Sequence, residues 1–239
     1  MQRKYPNYSF AFQPIVDVRS GIIISYEALV RGVNNESAYY ILQQINQSDK
    51  HDFDEQLRIS AIQLATQLGI DCSLNLNMLS GSPELSASAL ESTLTMAEQR
   101  GISPEHLTIE ITEQEIIHDY DYFIEALNIY RGLGIKVSID DFGAGYSGLN
   151  LLAEFQPDNI KLDMSLVRDI DTRGPRQAII RGIITTCTDL GIDIIAEGVE
   201  SIAEYWWFRE EGIDFYQGYL IAKPGFEHLP LAFYPQSSL

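Results

Sequence analysis

Short runs of apolar or alternating residues recur along the chain, and longer stretches with helical spacing lie between many of them. The strand candidates are "FAFQPIVDV", "IIISYEAL", "CSLNLN", "LTIEIT", "KVSID", "NIKLD", "DIIAE" and "DFYQGYL". Helical patterns such as "DYFIEALNIYRGLG", "GPRQAIIRGIITTCTDLG" and "SIAEYWWFREEG" follow the later runs and end on Gly134, Gly191 and Gly212, which suit helix C-caps. Eight strands separated mostly by helices predict a (β/α)8 barrel. The first two runs are joined by only "RSG", too short for a parallel crossover. They should form an antiparallel hairpin, which makes the expected fold a modified TIM barrel with one antiparallel strand.

A length of 239 residues suits one such barrel, and no Pro-, Gly- or Ser-rich linker divides the chain, so a single domain over 1–239 is expected. The net charge of −18, from 34 acids and 16 bases, argues against binding polymeric nucleic acid, which needs a basic footprint. No apolar run approaches the roughly 18–20 residues of a membrane span. The opening "MQRKYPNYSF" lacks the apolar core of a secretory signal. Cys72 and Cys187 are far apart and without metal spacing, so a disulfide is not expected and the cytoplasm is the expected compartment.

The chemistry gathers where strands end. Glu27, Asn75, Glu110, Asp140 with Asp141, Lys161, Glu197 and Gln217 close successive runs. In a barrel those C-terminal ends meet on one face, where active sites of this fold are built. Singly, each residue has an ordinary reading as a helix cap or a solvated strand end; together they predict a site. Its ligand atoms are oxygens, which suit Mg²⁺ or Mn²⁺ better than zinc. Adjacent acids at 140 and 141 can reach two ions, with Asp140 as the bridge, and Lys161 and Glu197 stand ready to assist a water. His51, His106, His118 and His228 show no paired metal spacing, and Trp206 and Trp207 fall on an outer helix, one for the core and one for a partial surface patch. "GAGYSG", with Asp163 twenty residues beyond Gly143, has the wording of a dinucleotide-binding loop. It follows the fifth strand candidate, not the first, and two acids would face the pyrophosphate, so that reading fails.

"YEALVRG", "FQPIVD", "SLNLN", "EITE", "DDFGAGYSGL", "IKLD", "AEGVE" and "QGYL" occur in the order of the EAL family of cyclic di-GMP phosphodiesterases, which the chain resembles from Phe10 to about Pro224. The resemblance implies hydrolysis of cyclic di-GMP to linear pGpG with Mg²⁺ or Mn²⁺; Ca²⁺, larger and less demanding in geometry, is expected to inhibit. It implies that Glu27, Asn75, Glu110 and Asp140 hold a first metal and that Asp140, Asp141 and Glu197 serve a second. Lys161 and Glu197 would assist the water, Gln217 would complete the pocket, and Gln13, Leu29 and Arg31 would contact the nucleotide. Glu113 and Glu200 match positions that steady the ring and the loop after Asp141, the loop that carries Gly143 and Gly145. Asn77, Met164, Gly148 and Gly32 depart from residues common in the family at those places. The family also implies homodimers and, in longer chains, a sensory domain. The alternative is a receptor that binds cyclic di-GMP or a protein without cleaving it.

Overall fold

Strand β1 (Tyr8–Asp17) turns through Gly21 and pairs antiparallel with β2 (Ile22–Gly32), as the short link requires. From β2 onward each strand pairs in parallel with the next: β3 (Ser73–Asn77), β4 (Leu107–Thr112), β5 (Lys136–Phe142), β6 (Asn159–Leu162), β7 (Asp193–Ala196) and β8 (Phe215–Tyr216). The last strand closes antiparallel onto β1 through Val16↔Tyr216, so eight strands make a barrel in which β1 alone runs against the rest. A short ninth strand, β9 (Gly225–Phe226), which the hydrophobic pattern did not reveal, adds to β1 at Ala11 and Phe12. The structure, a computed structural model, describes residues 4–78, 87–112, 120–145 and 148–235.

Helices α1 (Ala38–Leu42), α2 (Lys50–Gln67), α3 (Ala87–Gln99), α4 (Tyr120–Gly132), α5 (Gly148–Glu154), α6 (Met164–Val167), α7 (Gly174–Leu190) and α8 (Ile202–Glu210) connect the strands. Local chemistry sets several of their ends. Pro175 fills the first turn of α7, where its missing N–H costs nothing, and Gly191 ends that helix in the left-handed region at φ 71°. Ser201 and Glu204 form a reciprocal capping box at the start of α8. Helix α7 buries Ile180, Ile183 and Cys187, a stripe at helical spacing. In α8, Trp207 is buried and Trp206 packs half-exposed at the edge of the core, the division expected from the sequence.

Apolar and polar residues alternate along the strands and so stand on opposite faces. Leu74, Ile109, Ile139, Ile160 and Leu162 are fully buried and join Phe53, Ile62, Leu127 and Ile180 from the helices in one core. Asn75, Glu110, Ser138 and Lys161, also buried, belong to the opposite set. That set must face the barrel axis, because Lys161 on β6 reaches acids on β2 and β4, strands that are not its neighbours. The run "DFYQGYL" gives only a two-residue strand. After Tyr216 the chain bonds the end of β7 and the loop beyond it, with Gln217 N donating to Ala196 O and Val199 N donating to Gln217 O. No helix among the described residues is long and apolar enough to cross a membrane.

Candidate metal centre

The Lys161 ammonium lies at the middle of the polar set. Its Nζ is 3.0 Å from Glu27 Oε2, 3.4 Å from Glu110 Oε2, 3.1 Å from Asp140 Oδ1 and 3.3 Å from Glu197 Oε2. An ammonium has three protons to donate, so it cannot bond all four carboxylates at once. It donates to Glu27 and Glu110. Asp140 Oδ1 and Glu197 Oε2 are within ion-pair distance of it yet buried without a hydrogen bond, as are Asn75 Oδ1 and Gln217 Oε1. Asn75 Oδ1 and Gln217 Oε1 have no partner, and Asp140 Oδ1 and Glu197 Oε2 have only a share of one ammonium, which is costly unless further positive charge meets them. Glu27, Glu110 and Asp140 bring carboxylate oxygens within 4.8 Å of one another. An all-oxygen donor set with open lone pairs fits a hard divalent cation.

Each strand contributes by its register. Glu27 lies opposite Asn75, and Asn77 opposite Glu110, so β3 is flanked on both sides by a glutamate. Asn75 Nδ2 donates to Glu110 Oε1 at 2.8 Å. Asn77 Nδ2 donates to Glu27 Oε1 at 2.9 Å, and Gln217 Nε2 donates to Glu27 Oε2 at 2.7 Å. Strict alternation would put Asp140 inward and Asp141 outward. The β5–β6 ladder jumps from Ile139↔Ile160 to Phe142↔Leu162, so Asp140 and Asp141 together face the single residue Lys161. This is a bulge, and Asp141 adopts the left-handed region at φ 53°, a sparsely used conformation for a residue with a side chain. Gly143 follows at φ 96°, and a Cβ there would overlap Leu166 Cδ1.

One buried ammonium cannot neutralise this many acids. Burial and the charge of Glu27 hold Glu110 well above the usual carboxylate range, against the pull of Lys161. Glu197 is pushed up to about 8 by burial, with Asp140 and Glu27 opposing Lys161. Asp141 sits exposed at the rim, and desolvation of its carboxylate together with Asp140 raises it to about 6. Glu27 is the exception. Burial acts upward on it, but Lys161, Asn77 and Gln217 outweigh that and hold it at about 2. Lys161 stays charged because Asp140, Glu110, Glu197 and Glu27 overcome its own burial. Without an added cation the ring therefore retains protons at neutral pH.

The remaining sequence-predicted residues fall around this ring. Gln13 is buried opposite Glu27 on β1, with Nε2 donating to Ala222 O. Leu29 and Arg31 share the face of β2 that carries Glu27, and burial lowers the affinity of the Arg31 guanidinium for its proton. Asp163 accepts from Ser165 N as the N-cap of α6, and its own N–H donates to Phe142 O beside the double-acid bulge. Glu200 pairs with Arg168 at 2.8 Å outside the ring. Glu113 lies outside the described residues, and Gly145 is in the loop after Asp141. Sequence patterns assign no site role to two contributors, Asn77, which they mark only as a departure from the family pattern, and Glu204. Asn77 braces Glu27, and its position on the same pleat as Asn75 was the available signal. Glu204, buried in α8, accepts from the backbone N–H groups of Asp169, Glu200 and Ser201 and so fixes the loop that follows Glu197.

The EAL domain family pattern matches residues 3–224. The blue light- and temperature-regulated antirepressor BluF of Escherichia coli K12 is 36% identical over 231 residues, which cover 96% of this chain and 57% of BluF. The cyclic di-GMP phosphodiesterase PdeR of the same organism is 40% identical over 118 residues, 49% of this chain and 18% of PdeR. The chain thus spans little more than half of one of these curated relatives and under a fifth of the other. A standalone versatile EAL protein from Vibrio cholerae O395, solved in its c-di-GMP bound form, aligns with a TM-score of 0.93 at 41% identity, over 97% of this chain and 98% of that one. Klebsiella pneumoniae BlrP1, in a calcium/cy-diGMP complex, aligns with a TM-score of 0.90 at 37% identity, over 97% of this chain and 60% of that one. With its motifs in family order, a barrel closed by one antiparallel strand and a match that runs almost end to end, the chain belongs to the EAL domain family.

Proposed function

We propose that the chain is a metal-dependent phosphodiesterase that hydrolyses cyclic di-GMP to linear pGpG and so lowers the level of a second messenger in bacterial signalling. The observation that carries this reading is the ring of carboxylate and amide oxygens around Lys161, offered from inward positions on or just after successive strands, several of them without a hydrogen bond. Glu27, Asn75, Glu110 and Asp140 would hold one Mg²⁺ or Mn²⁺, and Asp140, Asp141 and Glu197 a second. Bound there, the ions would polarise the phosphodiester and lower the pKa of a water. Lys161 orients that water and offsets the negative charge that develops on phosphate. Glu197, once ionised, accepts the water's proton. Arg31 offers a planar donor fork to a phosphate, and Gln13, Leu29 and Gln217 shape the nucleotide pocket. The whole chain, 1–239, acts as one domain in the cytoplasm, as a homodimer or as the catalytic part of a longer sensor protein.

Incubation of the chain with cyclic di-GMP and Mg²⁺, Mn²⁺ or Ca²⁺ in parallel, with chromatography of the products, tests the proposal. Mg²⁺ and Mn²⁺ are expected to yield pGpG, and Ca²⁺, larger and less exacting in geometry, to block it. Binding of cyclic di-GMP with no pGpG formed at micromolar protein would refute hydrolysis. That result would favour a receptor role, the reading in keeping with the likeness to an antirepressor.

A further inference from the structure

We propose that Asn77 is a positioning residue that holds the Glu27 carboxylate in its cation-binding orientation, an inference that rests on the metal-dependent reading above. Strand β3 carries two asparagines on one pleat, Asn75 and Asn77, and each donates its amide to a glutamate on a different neighbour. Asn75 bonds Glu110 on β4 and leaves its own Oδ1 buried without a partner, free for a cation. Asn77 bonds Glu27 on β2 from a half-buried position nearer the barrel mouth. The division of labour follows from this: one asparagine braces and ligates, the other braces.

The Glu27 carboxylate shows why a brace matters. Its Oε2 accepts from both Lys161 Nζ and Gln217 Nε2, at 3.0 and 2.7 Å. Without Asn77, both side-chain donors would act on one oxygen and leave the plane of the carboxylate free to rotate about them. With Nδ2 of Asn77 on Oε1, each oxygen is tied to a different strand and the plane is set. Each carboxylate oxygen has two lone pairs, so accepting from Asn77 leaves Oε1 one lone pair for a cation. Outer hydrogen bonds of this kind orient ligating groups, and their loss costs about 10–100-fold in metal affinity.

The test compares Asn77→Leu, similar in size without a donor, with Asn77→Ser, whose shorter side chain keeps a hydroxyl. Mn²⁺ binding to the chelator-stripped full chain is measured by titration calorimetry without nucleotide. Asn77→Leu is expected to bind Mn²⁺ at least about tenfold more weakly. Its kcat for cyclic di-GMP should fall at fixed Mn²⁺, recover toward the parent value at saturating Mn²⁺, and leave KM within about twofold. Asn77→Ser is expected to fall between. Parent-like Mn²⁺ affinity in Asn77→Leu overturns the proposal. Should that variant fail to fold, unchanged affinity in Asn77→Ser overturns it and a several-fold loss supports it. A parent chain that binds no Mn²⁺ removes the metal-dependent function itself, a result distinct from equal binding by parent and variant.

Discussion

Lys161 is the only cation in contact with four buried or nearly buried acids among the described residues, and its removal isolates their effect. Breaking a buried ion pair from one side costs about 3–5 kcal/mol. Lys161→Met is therefore expected to lower the urea midpoint in chelator, and Mn²⁺ to return part of the loss, because a divalent ion meets the same acids. An unchanged midpoint would contradict the central role given to this ammonium. The ring's protons make a second prediction. Glu197 keeps its proton to about 8 when folded but loses it near 4.5 when unfolded. Folding binds a proton between those values, so this group's contribution to stability declines as pH rises from about 4.5 to about 8. Glu27, held at about 2, works in the other direction and contributes stability that is lost as pH falls from 4.5 toward 2. A cation must displace the protons of Glu197 and Asp141, so Mn²⁺ affinity should climb between pH 6 and pH 8 with measurable proton release. Calorimetry in two buffers of different ionisation enthalpy counts those protons, and equal affinity at both pH values would contradict the ring electrostatics. Glu27, Glu110 and Asp140 were legible in the sequence because each closes an apolar run and such ends meet on one face of a barrel, although β2 itself continues past Glu27 to Gly32. The tie from Asn77 to Glu27 was not, because Asn77 entered only as a departure from a family pattern, and a cross-strand bond needs register.

At the scale of elements, the ends of β5 and β8 build the site by breaking regular structure. The bulge at Asp140 and Asp141 depends on a left-handed residue, which no hydrophobic pattern encodes, so the sequence showed two neighbouring acids without the bulge that sets both opposite Lys161 in the register. The end of β8 depends on Gly218, where a Cβ would strike the backbone N, C and O of Val199. Gly218→Ala must push apart the turn carrying Gln217 and the loop after Glu197. A loss of about 1–3 kcal/mol in denaturant stability, with a disproportionate fall in turnover, is expected. Gly182 is the control. It lies on the exposed face of α7, where a Cβ meets nothing within 4 Å. Gly182→Ala should stabilise by about 0.5–1 kcal/mol and leave turnover unchanged. Equal behaviour of the two variants would refute the close approach at Gly218. The strands were legible as apolar runs, and the "RSG" link gave the hairpin. The length of β8 was misjudged because "QGYL" has a strand's composition while its backbone groups bond the preceding loop. Strand β9 stayed hidden because two residues carry no periodicity.

For the whole molecule, a net charge of −18 surrounds a core that closes on itself through β1 and β8. A ligand that binds only the folded state stabilises it by mass action, by about 2.7 kcal/mol at a hundred times its dissociation constant. Millimolar Mn²⁺ should therefore raise the thermal midpoint well above that in chelator, and matching the ionic strength with NaCl should not reproduce the gain, because screening acts mainly on exposed charges. A rise reproduced by NaCl would assign the effect to the acidic surface. The barrel was readable from eight runs at intervals of strand and helix. The interior position of Lys161 was not, since a lysine ending a strand reads equally as a solvated one until closure brings β2, β4 and β6 around one axis. Central to the proposed function is a divalent-cation site in the oxygen ring. An anomalous-difference map from crystals of the Mn²⁺-soaked chain tests it directly. Density is expected within bonding distance of Glu27, Asn75, Glu110 and Asp140, with a second ion reached by Asp140, Asp141 and Glu197; density elsewhere with none in the ring would refute a cation site there.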